Sequence, residues 1–314
     1  MVSNNELLAA PAKPVAKSRN MALDNFFYDL KSLSETEIDN IREFPDTEGS
    51  IVVVSPTNAK DKEIRHYACT TEMLQKEKQN IGGVAVAGVG SSIFGTAALA
   101  RNVADTYGKD IAGIVSGYGL TDLMMEALGG WFFYGYIDKY RHALEIMVEK
   151  ATAPLSAPMR REATGACADP SREFRESGIP RQLDTGTLLD ILMANPENMN
   201  ILVGHSKGAM LIDFVLEEFV RLMDLKEQDH RYYDDLHVVT VGAVVGVSRN
   251  FKKTSQIIGA LDWFGGMNSL PDLLEDANPD TQPRYIANAS HHLSRIWPYQ
   301  LGLVDALRKH VPIQ

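Results

Sequence analysis

Short apolar runs alternate with longer stretches of helical spacing along most of this chain. "SIVVVSP" (50–56) is β-branched and predicts a strand at 51–55, and the alternating "EIRHYACT" predicts a second at 63–69. The polar link "NAKDK" makes the two a hairpin. "GGVAVAGVG" and "DIAGIVSGYG" are fully apolar, which predicts buried strands at 83–88 and 111–116. Further strands are expected at 199–204, 237–243, 256–262 and 284–288.

Helical patterns fill the intervals. "TAALARNVADTYG" ends at Gly108, a C-cap, and Asp184 caps a helix running to Ala194 with Pro196 beyond it. A long amphipathic helix covers 208–225, and a terminal helix is expected over 296–310. "ALDNFFYDLKSL" near the start reads as a helix that docks on the core or on a partner.

Strands alternating with helices, after a hairpin, give an α/β fold. Its mostly parallel eight-stranded sheet carries helices on both faces. The rhythm breaks at 123–184, where "LMMEALGGWFFYGYIDKY" precedes a polar, Pro- and Arg-containing stretch. The organisation expected is a flexible tail at 1–20, a core of 21–122 and 185–314, and a helical cap or lid at 123–184.

Composition narrows the function classes. The 314 residues carry a net charge of −10, which argues against a nucleic-acid binder, because phosphate neutralisation needs a basic face. No transmembrane run and no secretory signal peptide are found, so a cytoplasmic protein is expected. Cys69 and Cys167 lie far apart without metal-like spacing and are expected to be two free or buried thiols. Oligomeric state is not legible.

The strand "NILVGH" runs into "GHSKGA" and then into the long helix. Gly and Ser are ordinary turn residues, but a serine on a sharp strand–Ser–helix turn also has its Oγ exposed for attack. Side chains two residues to either side would clash, and Gly204 and Gly208 occupy those places. Ser206 is therefore the candidate nucleophile. An acid and a histidine should follow in that order at strand ends. Asp262, in the apolar run "IIGALDWFGG", is the candidate acid, since a lone Asp there needs a partner. "YIANASHHLSRIWP" offers His291 and His292. His291 directly follows two small residues and is the preferred base, with His292 the alternative. His205 is expected to order local packing under the turn.

The oxyanion donors are expected to be the backbone N–H groups of Lys207 and Val89. Ser91 and Ser92, on the same loop as Val89, are pocket candidates. Trp131, Phe132 and Phe133 of the cap are candidates for an apolar acyl pocket, though at helical spacing such residues also serve as core. "GVGSSIFGTAALA" weakly suggests a dinucleotide loop. Its glycines follow G-x-G-x-x-x-x-G, however, and no acid ends the next strand.

From about residue 50 to 310 the pattern resembles the α/β-hydrolase fold family. "GHSKGA" matches its nucleophile elbow, "GALDWFGG" its acid loop and "IANASHHLS" its histidine loop. The resemblance implies Ser206 as nucleophile, Asp262 as acid and His291 as base. Ala87-Gly88 stands where the family commonly has His-Gly, and Lys207 where it has a small or apolar residue. The expectation is a serine hydrolase acting on carboxylic esters through an acyl-enzyme, needing no metal or cofactor. A thioesterase or acyltransferase, or a non-catalytic binding protein on the same fold, are the alternatives.

Overall fold

A computed structural model describes residues 24–60, 63–88, 91–116, 183–274 and 282–313. The tail at 1–20, Val89, Cys167 and nearly all of the expected cap lie outside these residues, including Trp131, Phe132 and Phe133. Eight strands form one sheet in the order β2-β1-β4-β3-β5-β6-β7-β8. They are β1 (Ile51–Val54), β2 (Ile64–Tyr67), β3 (Ile81–Val86), β4 (Asp110–Ile114), β5 (Ile201–His205), β6 (His237–Val241), β7 (Lys253–Gly259) and β8 (Arg284–Ile286). The β1–β2 pair is the expected hairpin, β1 is antiparallel to β4, and every pairing from β4 to β8 is parallel.

The helices are α1 (Glu35–Arg42), α2 (Thr70–Glu77), α3 (Ile93–Tyr107), α4 (Leu183–Ala194) and α5 (Lys207–Leu225). They continue with α6 (Tyr232–Asp235), α7 (Trp263–Met267), α8 (Pro271–Leu274) and α9 (Leu303–His310). Alternate strand residues feed two cores. Val52, Ala85, Ile201 and Val203 pack with α1, α3 and α9, while Val53, Val84, Val86 and Leu202 pack with α2, α4 and α5. Burial on both faces explains why these strands read as continuous apolar runs.

The chain passes from β3 through α3 to β4 on one side, then through α4 to β5 on the other. The order thus reverses between β3 and β5, and the carboxyl ends at such a reversal are where open α/β sheets bind ligands.

Several local expectations are corrected. β7 begins and ends earlier than 256–262, because Leu261 is exposed and Asp262 belongs to the turn into α7. The terminal helix covers 303–310 and not 296–310. In the preceding segment the Pro298 and Tyr299 carbonyls accept from His292 and Ser290, so this backbone braces the histidine loop. Asp184 lies in the first turn of α4 and accepts from Ser116 Oγ at 2.9 Å. Cys69 is disulfide-bonded and not a free thiol, a state that two cysteines without framework spacing do not signal. Among the described residues no helix is long and apolar enough to cross a membrane.

Candidate active site

Ser206 follows β5 directly and starts α5 with φ 55° and ψ −121°, a conformation that side-chain-bearing residues seldom adopt. Its N–H donates to Val241 O on β6 at 2.8 Å, which fixes the turn to the sheet. A Cβ on Gly204 would come within 2.6 Å of Gly208 O, and one on Gly208 would run into the β3 backbone, 2.7 Å from the Val86 carbonyl carbon. Small residues are therefore required at both places, as the sequence pattern suggested. Ser206 makes no side-chain cap to α5, so Oγ is not spent on the helix.

Asp262 and His291 come from the loops after β7 and β8. His291 Nδ1 lies 2.9 Å from Asp262 Oδ2 and 3.1 Å from Oδ1, with both residues buried. Asp262 Oδ1 also accepts the Gly265 N–H at 2.6 Å. A carboxylate only accepts, so Nδ1 carries a proton, and in the neutral ring the lone pair is on Nε2. The His291 ring packs edge-on against Phe264 at 4.9 Å and against Phe27 at 6.0 Å. It also sits over Gly242, where a Cβ would approach Cε1 to 2.9 Å. Gly242 follows Val241, the residue that holds the Ser206 N–H, so the Ser206 turn and His291 share one end of β6. Among the described residues no hydrogen bond joins Ser206 Oγ to His291; such bonds often tighten only once substrate is bound.

His292 is directed elsewhere. Its Nε2 donates to Pro298 O at 3.1 Å and its ring faces Phe26 at 5.7 Å. Of the two candidate bases, only His291 meets a carboxylate.

Gly88, beyond β3, adjoins the turn: a Cβ there would be 3.2 Å from Ser206 Cβ. Lys207 turns its ammonium toward the buried Asp184, with Nζ and Oδ2 4.0 Å apart.

Ser91 and Ser92, the pocket candidates, are both buried beside Asp24. Their hydroxyls hold its carboxyl: Ser91 Oγ donates to Oδ1 at 3.2 Å, and the Ser92 hydroxyl makes a short bond to Oδ2. The Ser92 N–H donates to the same carboxyl, and the Ile93 N–H donates to Asp46 Oδ1 at 3.0 Å. Two carboxyl groups thus occupy the N-terminus of α3, where a dinucleotide loop would bring its phosphates, and this disfavours that reading. Burial pushes the Asp24 carboxyl up to about 7, against the pull of its Ser92 hydrogen bonds.

The sequence reading missed Tyr28. Residues 24–27 form one helical turn, and Tyr28 then enters the core. Its hydroxyl accepts the Gly88 N–H at 2.6 Å and lies 3.1 Å from His205 Nδ1. His205 Nε2 lies 3.0 Å from His291 O. Burial, together with the neighbouring His291, pushes the His205 imidazole down to about 3, so it is neutral over the ordinary pH range. The run Phe26-Phe27-Tyr28 beside a polar tail was the available signal. No protein-family model matches the chain, and no curated protein or solved structure matches it either.

Proposed function

We propose that this protein is a serine hydrolase of the α/β-hydrolase type that cleaves carboxylic esters. The observation that carries this reading is the buried His291–Asp262 pair, set at the same end of β6 as Ser206 on its strained turn. The order of the three residues, after β5, β7 and β8, supports it further. Here His291 Nε2 takes the Ser206 proton, the serine attacks the ester carbonyl, and the Lys207 N–H donates to the oxyanion. His291 then protonates the leaving alcohol, and water releases the acyl group. Asp262 keeps the ring in its Nδ1–H tautomer and stabilises the charged form. The aromatic flanks of His291, Phe27 and Phe264, favour an apolar acyl group. The disulfide at Cys69 favours an oxidising compartment over the cytoplasm expected from the sequence.

The test is turnover of p-nitrophenyl esters from acetyl to palmitoyl by wild type and Ser206→Ala. Hydrolysis that disappears with Ser206 supports the reading, and the best chain length sizes the acyl pocket. Hydrolysis that survives Ser206→Ala, or folded wild type that turns over no ester, overturns it.

A further inference from the structure

We propose that Tyr28 and His205 are positioning residues that hold the base loop and the oxyanion side at a fixed separation across Ser206. The proposal rests on the serine hydrolase reading of Ser206, Asp262 and His291. Three buried hydrogen bonds run in series from Gly88 N to Tyr28 Oη, from Tyr28 Oη to His205 Nδ1, and from His205 Nε2 to His291 O, at 2.6, 3.1 and 3.0 Å.

Their polarity is fixed from both ends. The His291 carbonyl only accepts, so His205 Nε2 carries the proton and Nδ1 offers a lone pair. Tyr28 must then donate to Nδ1, which leaves its oxygen to accept the Gly88 N–H. No alternative proton arrangement satisfies all three bonds with neutral groups. Burial keeps His205 neutral, so the series persists through the pH range in which an imidazole base works.

The connected parts are far apart in sequence and close in space. A Cβ on Gly88 would come 3.2 Å from Ser206 Cβ on one side, and the His205 and His291 rings lie 4.9 Å apart on the other. A shift of the histidine loop would move Nε2 relative to the nucleophile, and small misplacements of a reacting group are costly in rate. The N-terminal segment thereby becomes part of the catalytic framework.

The experiment uses the full chain with Tyr28→Phe, His205→Phe and His205→Gln. Tyr28→Phe removes one oxygen and is expected to lower kcat about tenfold or more with little change in KM. His205→Phe should do the same. His205→Gln keeps a donor for His291 O and should recover most of the rate. A merely structural pair would lower Tm and leave kcat at 25 °C as in wild type.

Histidine side-chain NMR supplies a readout independent of turnover. The His291 Nδ1–H proton, shielded by Asp262, should exchange with water faster in Tyr28→Phe than in wild type. If wild type hydrolyses no ester, the hydrolase reading falls while this exchange still tests the positioning. Wild-type kcat in Tyr28→Phe, or unchanged His291 Nδ1–H exchange, would overturn the proposal whatever the change in Tm.

Discussion

His291 Nδ1 and Asp262 Oδ2 meet at 2.9 Å across 29 residues of sequence, with the carboxylate side chain fully buried. A buried carboxylate needs partners, and the imidazole and the Gly265 N–H supply them. The pairing also decides which imidazole nitrogen is left free to accept a proton.

Asp262→Asn tests that role. The amide can still accept from Gly265 through its oxygen, but its NH2 would face His291 Nδ1 and favour the opposite tautomer. Ester turnover should drop by about 10^4-fold in kcat while the protein remains folded. A loss smaller than about tenfold would mean that the pair is structural.

The neighbouring histidines should separate cleanly. His291→Ala should cost at least about 10^3-fold in kcat, comparable to Ser206→Ala. His292→Ala removes the bond to Pro298 O and the ring contact with Phe26, neither of which touches Asp262 or Ser206, so kcat should stay near wild type, with a loss of about 1 kcal/mol or more in stability. Steady-state kinetics and urea unfolding of both variants check this. The reverse ranking would assign the base to His292.

Gly208→Ala addresses the turn. The added methyl would collide with the backbone of β3 at Val86 and Ala87, which cannot yield as a flexible side chain can. A destabilisation of about 2 kcal/mol or more is expected, read as a lowered urea midpoint at constant m. A neutral result would mean that the turn relaxes easily and is not held in a strained form.

The strands and the three residues at their ends were legible because their signals are local. A buried parallel strand announces itself as an apolar run, and the paired glycines around Ser206 follow from steric limits within five residues. Asp262 stood out because its neighbours are apolar. Tyr28 gave no comparable sign: its partners are 60 and 177 residues away, and an aromatic in an N-terminal segment reads as packing. The partner of Ser91 and Ser92 was hidden for the same reason, since the carboxyl they bind arrives from residue 24. The segment before α9 failed differently. Its apolar spacing suits a helix, but its backbone groups are taken by the histidine loop, and tertiary bonding overrode propensity.

Asp24 links that N-terminal segment to solution pH. Burial raises its carboxyl from 3.8 to about 7 in the folded chain, so between those values the folded state holds a proton that the unfolded state releases. Its contribution to stability is therefore fully present below about pH 4 and is lost as pH rises through about 7. An asparagine never ionises, so Asp24→Asn should lack this dependence. The Tm difference, wild type minus Asp24→Asn, should fall steadily between about pH 4 and 7 and level off above, because the other titrating groups cancel in the comparison. Thermal unfolding of both proteins from pH 4 to 9 measures it. Parallel curves above about pH 5 would mean that Asp24 ionises like an ordinary carboxylate, and that the serines stabilise its charged form as much as burial penalises it.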